Sequence, residues 1–279
     1  MGLAEAGIIR HRASLPHPRG SEDHQLSDVL NIFIGYDQRE DEAWNICRLS
    51  MARRSSQPLH VVKLDERALR YNGWYDRPWK VDHGQKFDAR DGKPFSTDFA
   101  FTRFLVPALS LYEGWAVFCD CDFLFTADIA GLFGRADERY AVQVVKHNHD
   151  PFETKKMEGQ LQTRYFRKNW SSMVLWNCAH PSNRFLTTNA VNHEPGQWLH
   201  AFSWLRDDEI GELPRGWNHL SGVDPHVVGE VPPAIHFTKG LPNMPGREGD
   251  PFADLWFAEQ ASRRAFGNPL PREIERGLS

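Results

Sequence analysis

The chain has 279 residues, with 33 Lys+Arg against 37 Asp+Glu and a formal charge of −4. That is long enough for one large domain or two small ones sharing a core, and the charge lacks the net basic character of a nucleic-acid binder. Apolar residues make up 41% and charged residues 25%, which excludes global disorder, and no apolar run approaches the roughly 18 residues of a transmembrane helix.

Residues 1–28 are rich in Pro, Ser, His and Gly, carry Glu5, Arg10 and Arg12, and lack an apolar stretch of signal-peptide length; the expectation is a mobile tail. LNIFIGYD at 30–37 reads as a buried strand with a turn after it. Ala43, Trp44, Ile46, Cys47 and Met51 follow at helical spacing and predict a helix over 40–54 with one apolar face. LHVVKL at 59–64 is a second strand, so the three elements make a βαβ unit and a parallel sheet. Neither G-x-G-x-x-G nor a Walker loop occurs at the first turn.

Residues 65–97 are polar and aromatic with weak periodicity and read as a long surface excursion. A helix is predicted over 96–112, capped by Ser96 or Thr97, with Asp98 in its first turn and Pro107 bending or dividing it. GWAVFCDCDFLF at 114–125 predicts one strand, and YAVQVVKH at 140–147 and SSMVLWNC at 171–178 two more. From about 180 the chain turns helical and polar, passes LPRGWNHL, and reaches AIHFTKG at 234–240. Leu255, Trp256 and Phe257 mark an amphipathic helix after 251, and Arg263, Arg264, Arg272 and Arg276 give it a basic but mixed-charge tail. No repeat or low-complexity linker divides 29–279, so one continuous α/β domain is expected. The four cysteines are expected to be buried free thiols, and most of the ten tryptophans core residues.

The strongest chemical signal is Asp120-Cys121-Asp122 at the end of a buried strand. Carboxylates at i and i+2 of an extended segment point the same way, and such a pair repels itself unless a cation lies between. Strand ends are where α/β sheets bind ligands. A hard divalent ion on two carboxylates keeps positions open for phosphate oxygens, the usual arrangement for Mg²⁺ or Mn²⁺. The second signal is His236 at the end of an apolar strand, followed by Lys239 and Gly240. An imidazole completes such an ion site, and a lysine with a nearby backbone amide holds a diphosphate.

The ordered set NIFIGYD, a helix containing Arg103, FCDCDFLF, SSMVLWNC, LPRGWN and HFTKG resembles the retaining glycosyltransferases of family eight. More closely, it is similar to a bacterial branch of sugar transferases with KNWSS and IGELP segments. The resemblance spans about residues 30–245. It implies a GT-A fold, with a Rossmann-like, mostly parallel central sheet flanked by helices and a smaller acceptor-side subregion. Residues 29–125 would be the nucleotide-binding half and 126–279 the acceptor and catalytic half. The implied metal ligands are Asp120, Asp122 and His236, holding Mn²⁺ or Mg²⁺. The implied donor contacts are Ile34, Gly35, Tyr36, Asp37 and Gln38 for base and ribose, Arg103 near the sugar and phosphates, Ser171 and Ser172 against the sugar, Lys239 and Gly240 on the diphosphate, and Cys121 between the two acids. Asp37 is equally readable as a helix N-cap.

The chain departs from the family in two places. HFTKGLPNMPG replaces H-x-x-G-x-x-K-P-W, and the family's Asp-Gln pair facing the reacting carbon has no clear counterpart. Gln197, His200, Asp207 and Asp208 are the candidates for that place, with Asp207 or Asp208 preferred because a carboxylate stabilises an oxocarbenium ion.

The implied activity is metal-dependent sugar transfer, with retention, from a UDP-sugar or other nucleotide-diphosphate donor. The acceptor would be a hydroxyl of a glycan, a lipid-linked glycan or a protein, with the enzyme in the cytoplasm or peripheral to a membrane's inner face. Residues 65–97 and 241–250 are candidate lids. Trp79, Trp170, Trp176 and Trp198 are candidates for an acceptor platform, and Lys146 and His147 end a strand facing either cleft or sheet cap. A nucleotidyltransferase, a D-x-D phosphotransferase and a carbohydrate-binding protein are the rival readings.

Overall fold

The computed structural model describes residues 29–147, 167, 169–266 and 273–274; the expectations for the N-terminal tail and for Arg272 and Arg276 fall outside them. The chain opens as the predicted βαβ unit. β1 (Leu30–Tyr36), α1 (Asp41–Arg54) and β2 (Leu59–Asp65) follow in turn, and the strands pair in parallel from Leu30↔Leu59 to Tyr36↔Asp65. α1 is buried on more than one face, continuously from Ala43 to Met51. Trp44, Cys47 and Met51 enter the main core beside β1, while Ala43 and Ile46 join a second cluster with Leu124, Ile235 and Trp256. The helix is wedged between two sheets, which a single-face reading does not anticipate.

After α2 (Glu66–Tyr71) the expected surface excursion proves to be built. β3 (Trp79–Asp82), β4 (Gln85–Asp88) and β5 (Pro94–Phe95) form a small antiparallel sheet. Arg77, just before it, meets Asp88 at 2.6 Å with both side chains 1% exposed. The same guanidinium donates to the carbonyls of Val191 and Glu194. A buried ion pair is tolerated when its remaining donors are satisfied in this way, and here it fastens the excursion to the body.

The helix predicted over 96–112 is broken into turns, a 3₁₀ segment at Thr102–Leu105 and the short α3 (Val106–Leu109). Pro107 stands in the first turn of α3, where its missing N–H has no helical partner to lose. The strand predicted over 114–125 is two strands, β6 (Trp115–Cys119) and β7 (Phe123–Phe125), parted by Asp120–Asp122.

The remaining elements are α4 (Ala130–Phe133), β8 (Val142–Val144), β9 (Met173–Asn177), α5 (Thr188–His193), α6 (Gly196–His200), β10 (Ile210–Glu212), β11 (His219–Leu220), β12 (Ala234–His236), α7 (Ala253–Phe266) and β13 (Glu273–Ile274). The central sheet runs β10-β8-β9-β6-β1-β2-β13, and β7 leaves it for a second sheet ordered β11-β12-β7. Within the central sheet only β9 runs antiparallel to its neighbours, β6 and β8. This is a mixed α/β fold around a mostly parallel sheet.

All four cysteines are buried free thiols. Trp176 and Trp198 each pack on Trp204, at centroid distances of 6.3 and 5.4 Å; Trp176 is fully buried in the core, and Trp198 is half-buried against it. Among the described residues no helix is long and apolar enough to cross a membrane.

Candidate active site

The D-x-D segment is the turn by which the chain passes from one sheet to the other. It is pinned at both ends by backbone hydrogen bonds: Asp120 N–H donates to the Ser172 carbonyl at 2.9 Å, and Phe237 N–H to the Asp122 carbonyl at 3.0 Å. The turn therefore carries both carboxylates to the end of β12, where His236 stands. One oxygen from Asp120, one from Asp122 and one imidazole nitrogen of His236 lie within 4.8 Å of one another.

His236 is 1% exposed and stacks on Phe123 at 4.4 Å. Its Nδ1 is 2.9 Å from Asn218 Oδ1, and its Nε2 is 3.3 Å from Asp122 Oδ1. Nε2 itself has no hydrogen-bond partner among the described residues. Two hard oxygen donors and one imidazole, with the far ring nitrogen already engaged, are a donor set suited to Mn²⁺ or Mg²⁺. The residues fit the ion that the sequence implies.

Arg103 is 6% exposed and lies 2.9 Å from Asp120 Oδ1. It also donates to the carbonyls of Ser171 and Phe99. It stands behind the first carboxylate, holding it. Ser171 and Ser172 form a 3₁₀ turn entering β9. Their carbonyls receive Arg103 and Asp120 N–H, Ser171 Oγ is 2.9 Å from His200 Nδ1, and Ser172 Oγ lies between the Asn169 carbonyl and the Asn218 amide. Cys121 faces the opposite way from the two acids: its thiol donates to Glu40 at 3.2 Å in the interior, and burial, with the surrounding carboxylates, pushes its pKa up. Its side chain does not join the group.

The end of β1, the parallel neighbour of β6, carries an open pocket. Tyr36 and Gln38 line this pocket of about 190 Å³ with Asp65, Arg67 and Asp98. Ile34 is buried in the core. At Gly35 a β-carbon would fall 2.5 Å from the Phe99 ring, so this close approach requires glycine. Asp37 takes up the N-cap reading. One oxygen accepts from the backbone N–H and Nε of Arg39, the other from Arg39 Nη2 and from Asp98 N–H. A carboxylate offers about four acceptor sites, and Asp37 has filled them with Arg39 and the distant Asp98 N–H. Burial alone would raise its pKa, but these bonds outweigh it and hold the carboxyl below its usual range. Burial, reinforced by the hydrogen bond to Asp41, raises the Tyr36 phenol to about 12. Lys63 sits 3.9 Å from the centre of the Tyr36 ring.

Asp65 and Arg67 were not among the residues singled out from sequence, and Asp98 was read only as a first-turn residue of a helix. The available signal was position, since Asp65 ends β2 at the edge of a parallel sheet where ligand crevices form.

Gly240 has φ +124°, in the region that favours glycine, and closes the turn after His236. Lys239 makes no hydrogen bond or ion pair among the described residues. Asp207 and Asp208 are 89% and 74% exposed and pair with Arg167 and Arg206. They precede β10, whereas the metal-site acids follow β6, and the two strands run parallel; the structure does not group them with Asp120, Asp122 and His236. Gln197 accepts from Lys93. Of the four candidates it is His200 that touches the serine turn behind Asp120. Trp79 and Trp170 donate to Glu66 and to the His147 carbonyl. Lys146 lies 5.8 Å from the Trp170 ring and His147 is buried.

Solved structures share this architecture. The glycosyltransferase GlyE of Streptococcus pneumoniae TIGR4 superposes with a TM-score of 0.53 at 14% identity over 83% of this chain and 60% of GlyE. The WbbM bifunctional glycosyltransferase superposes at 0.55 with 15% identity, over 84% of this chain and 50% of WbbM. A galactosyltransferase LgtC, solved with donor and acceptor sugar analogs, gives 0.50 at 9% identity over 84% of this chain and 96% of LgtC. The chain thus spans half to three-fifths of the GlyE and WbbM chains. The fold is of the GT-A type. No family model matches the sequence. The chain belongs to the family of Protein CDI of Arabidopsis thaliana, to which it is 45% identical over 233 residues, 82% of this chain and 85% of that protein.

Proposed function

We propose that the protein is a metal-dependent glycosyltransferase, transferring a sugar, a hexose in the first instance, from a nucleotide-diphosphate donor to a hydroxyl acceptor. The convergence of Asp120, Asp122 and His236 beside the strand-end pocket of a GT-A fold carries this reading. Those three residues would hold Mn²⁺ or Mg²⁺, which when bound supplies a Lewis acid against the charge of a departing diphosphate. Arg103 keeps Asp120 aimed at the site. Lys239, uncommitted and three residues beyond His236, contributes a cation to the same phosphates, and the backbone turn at Gly240 lets it approach. The pocket at Tyr36, Gln38, Asp65 and Arg67 receives the nucleoside, a uridine. Ser171, Ser172 and His200 border the sugar, retention at the anomeric carbon follows the family-eight resemblance, and the acceptor is a glycan, a glycolipid or a protein hydroxyl.

A thermal-shift screen of UDP-, GDP-, ADP- and CMP-sugars, with and without Mn²⁺, tests this proposal. The expected result is a rise in Tm for UDP-sugars that requires the metal. Stabilisation by a free sugar regardless of nucleotide or Mn²⁺ would instead indicate a carbohydrate-binding protein.

A further inference from the structure

Asn218 is completely buried on the turn before β11. Its amide nitrogen donates to the Asn169 carbonyl at 3.2 Å and to Ser172 Oγ at 2.9 Å. A backbone carbonyl can only accept, so the NH₂ must face Asn169, and the amide oxygen must face His236 Nδ1 at 2.9 Å. An oxygen there can only accept as well, which requires a proton on Nδ1. In the neutral ring the lone pair is then on Nε2, the nitrogen that faces Asp122.

The chain of contacts continues. Ser172 Oγ donates to the Asn169 carbonyl, and the Ser172 carbonyl receives the N–H of Asp120. One side-chain amide thus sets the imidazole's tautomer and ties it to the backbone that positions the first carboxylate.

We infer that Asn218 is the positioning residue of the cation site, selecting the Nδ1–H form of His236 so that Nε2 is available as a ligand. The inference rests on the cation reading above, but its first test does not involve metal. Outer partners of ligating histidines are worth about 10–100-fold in metal affinity when removed.

The experiment has two measurements. Long-range ¹H–¹⁵N correlation spectra of the metal-free protein report the tautomer; His236 is assigned among the 13 histidines by its disappearance in His236→Asn. The wild type should show Nδ1–H, Asn218→Asp should keep it because a carboxylate still accepts there, and Asn218→Leu should lose it. An Nε2–H ring in the wild type overturns the inference, whatever the variants do. Calorimetric Mn²⁺ titration is the second measurement. Asn218→Leu should bind at least 10-fold more weakly, while Asn218→Asp stays within a few-fold of wild type. Equal affinity in wild type and Asn218→Leu overturns the positioning role. Failure of the wild type to bind Mn²⁺ or Mg²⁺, with the Nδ1–H ring present, sinks the cation reading while the tautomer assignment stands.

Discussion

Arg103 and Asp120 are both nearly enclosed and meet at 2.9 Å, and the nitrogen that makes the contact, Nη1, also donates to the Ser171 carbonyl. The guanidinium therefore holds the carboxylate by way of a fixed backbone atom. It also balances the negative charge of a site built from two acids. Removing it should leave Asp120 buried beside Asp122 with less compensation.

Arg103→Met should accordingly cost about 3–5 kcal/mol of stability, the usual penalty for breaking a buried pair from one side. A cation supplied to the site offsets that penalty, so Mn²⁺ should raise the Tm of the variant more than that of the wild type. Melting curves with and without Mn²⁺ check this, and equal shifts in both proteins would show that Asp120 does not share the ion.

Asp122→Asn removes one ligand charge while keeping the shape of the turn. Metal-dependent release of UDP from a UDP-sugar should be abolished, with the far-UV circular dichroism unchanged. Full turnover in this variant, or in wild type under excess chelator, would remove the cation from the mechanism.

Asp37 predicts a pH dependence with a definite sign. Its carboxyl is held below the usual range by Arg39 and the Asp98 N–H, against the opposing effect of burial. A depressed folded-state pKa stabilises the fold above the unfolded value, and that contribution disappears as pH falls through the folded value. Urea denaturation should therefore show Asp37→Asn well below wild type at neutral pH, with the gap closing as pH falls below the ordinary carboxylate range. A constant gap would mean that the charge is not what matters.

Gly35→Ala places a methyl 2.5 Å from ring atoms of Phe99. Overpacking of this kind costs about 1–3 kcal/mol, and the displaced β1 end should also weaken nucleotide binding. Phe99→Leu in the same chain should recover part of the loss, measurable by denaturant titration of the single and double variants.

The parts that could be read from sequence were those written in local patterns. LNIFIGYD, the helix after it and LHVVKL carried their periodicities openly, and they became β1, α1 and β2. Asp120, Asp122 and His236 were legible because each follows an apolar run that delivers a side chain to a strand end. The excursion at 65–97 hid its sheet because β3–β5 are only two to four residues long, and the contacts of Arg77 with Val191 and Glu194 that fasten it to the body appear in no window of sequence. The reversal of β9 was equally silent, since a buried strand has the same composition in either direction. Asn218 lay inside a quoted segment, LPRGWN, yet nothing local distinguishes an asparagine that orients an imidazole from one that ends a turn.

β6 and β7 lie on two different sheets, and only three residues separate them. The carboxylates sit on that seam, while the imidazole arrives from a strand more than a hundred residues further on. An ion seated there would act as a rivet between the sheets and between remote stretches of chain. Loading the site and locking the two halves of the molecule together would then be a single event, visible as protection of the second sheet's amides from hydrogen exchange.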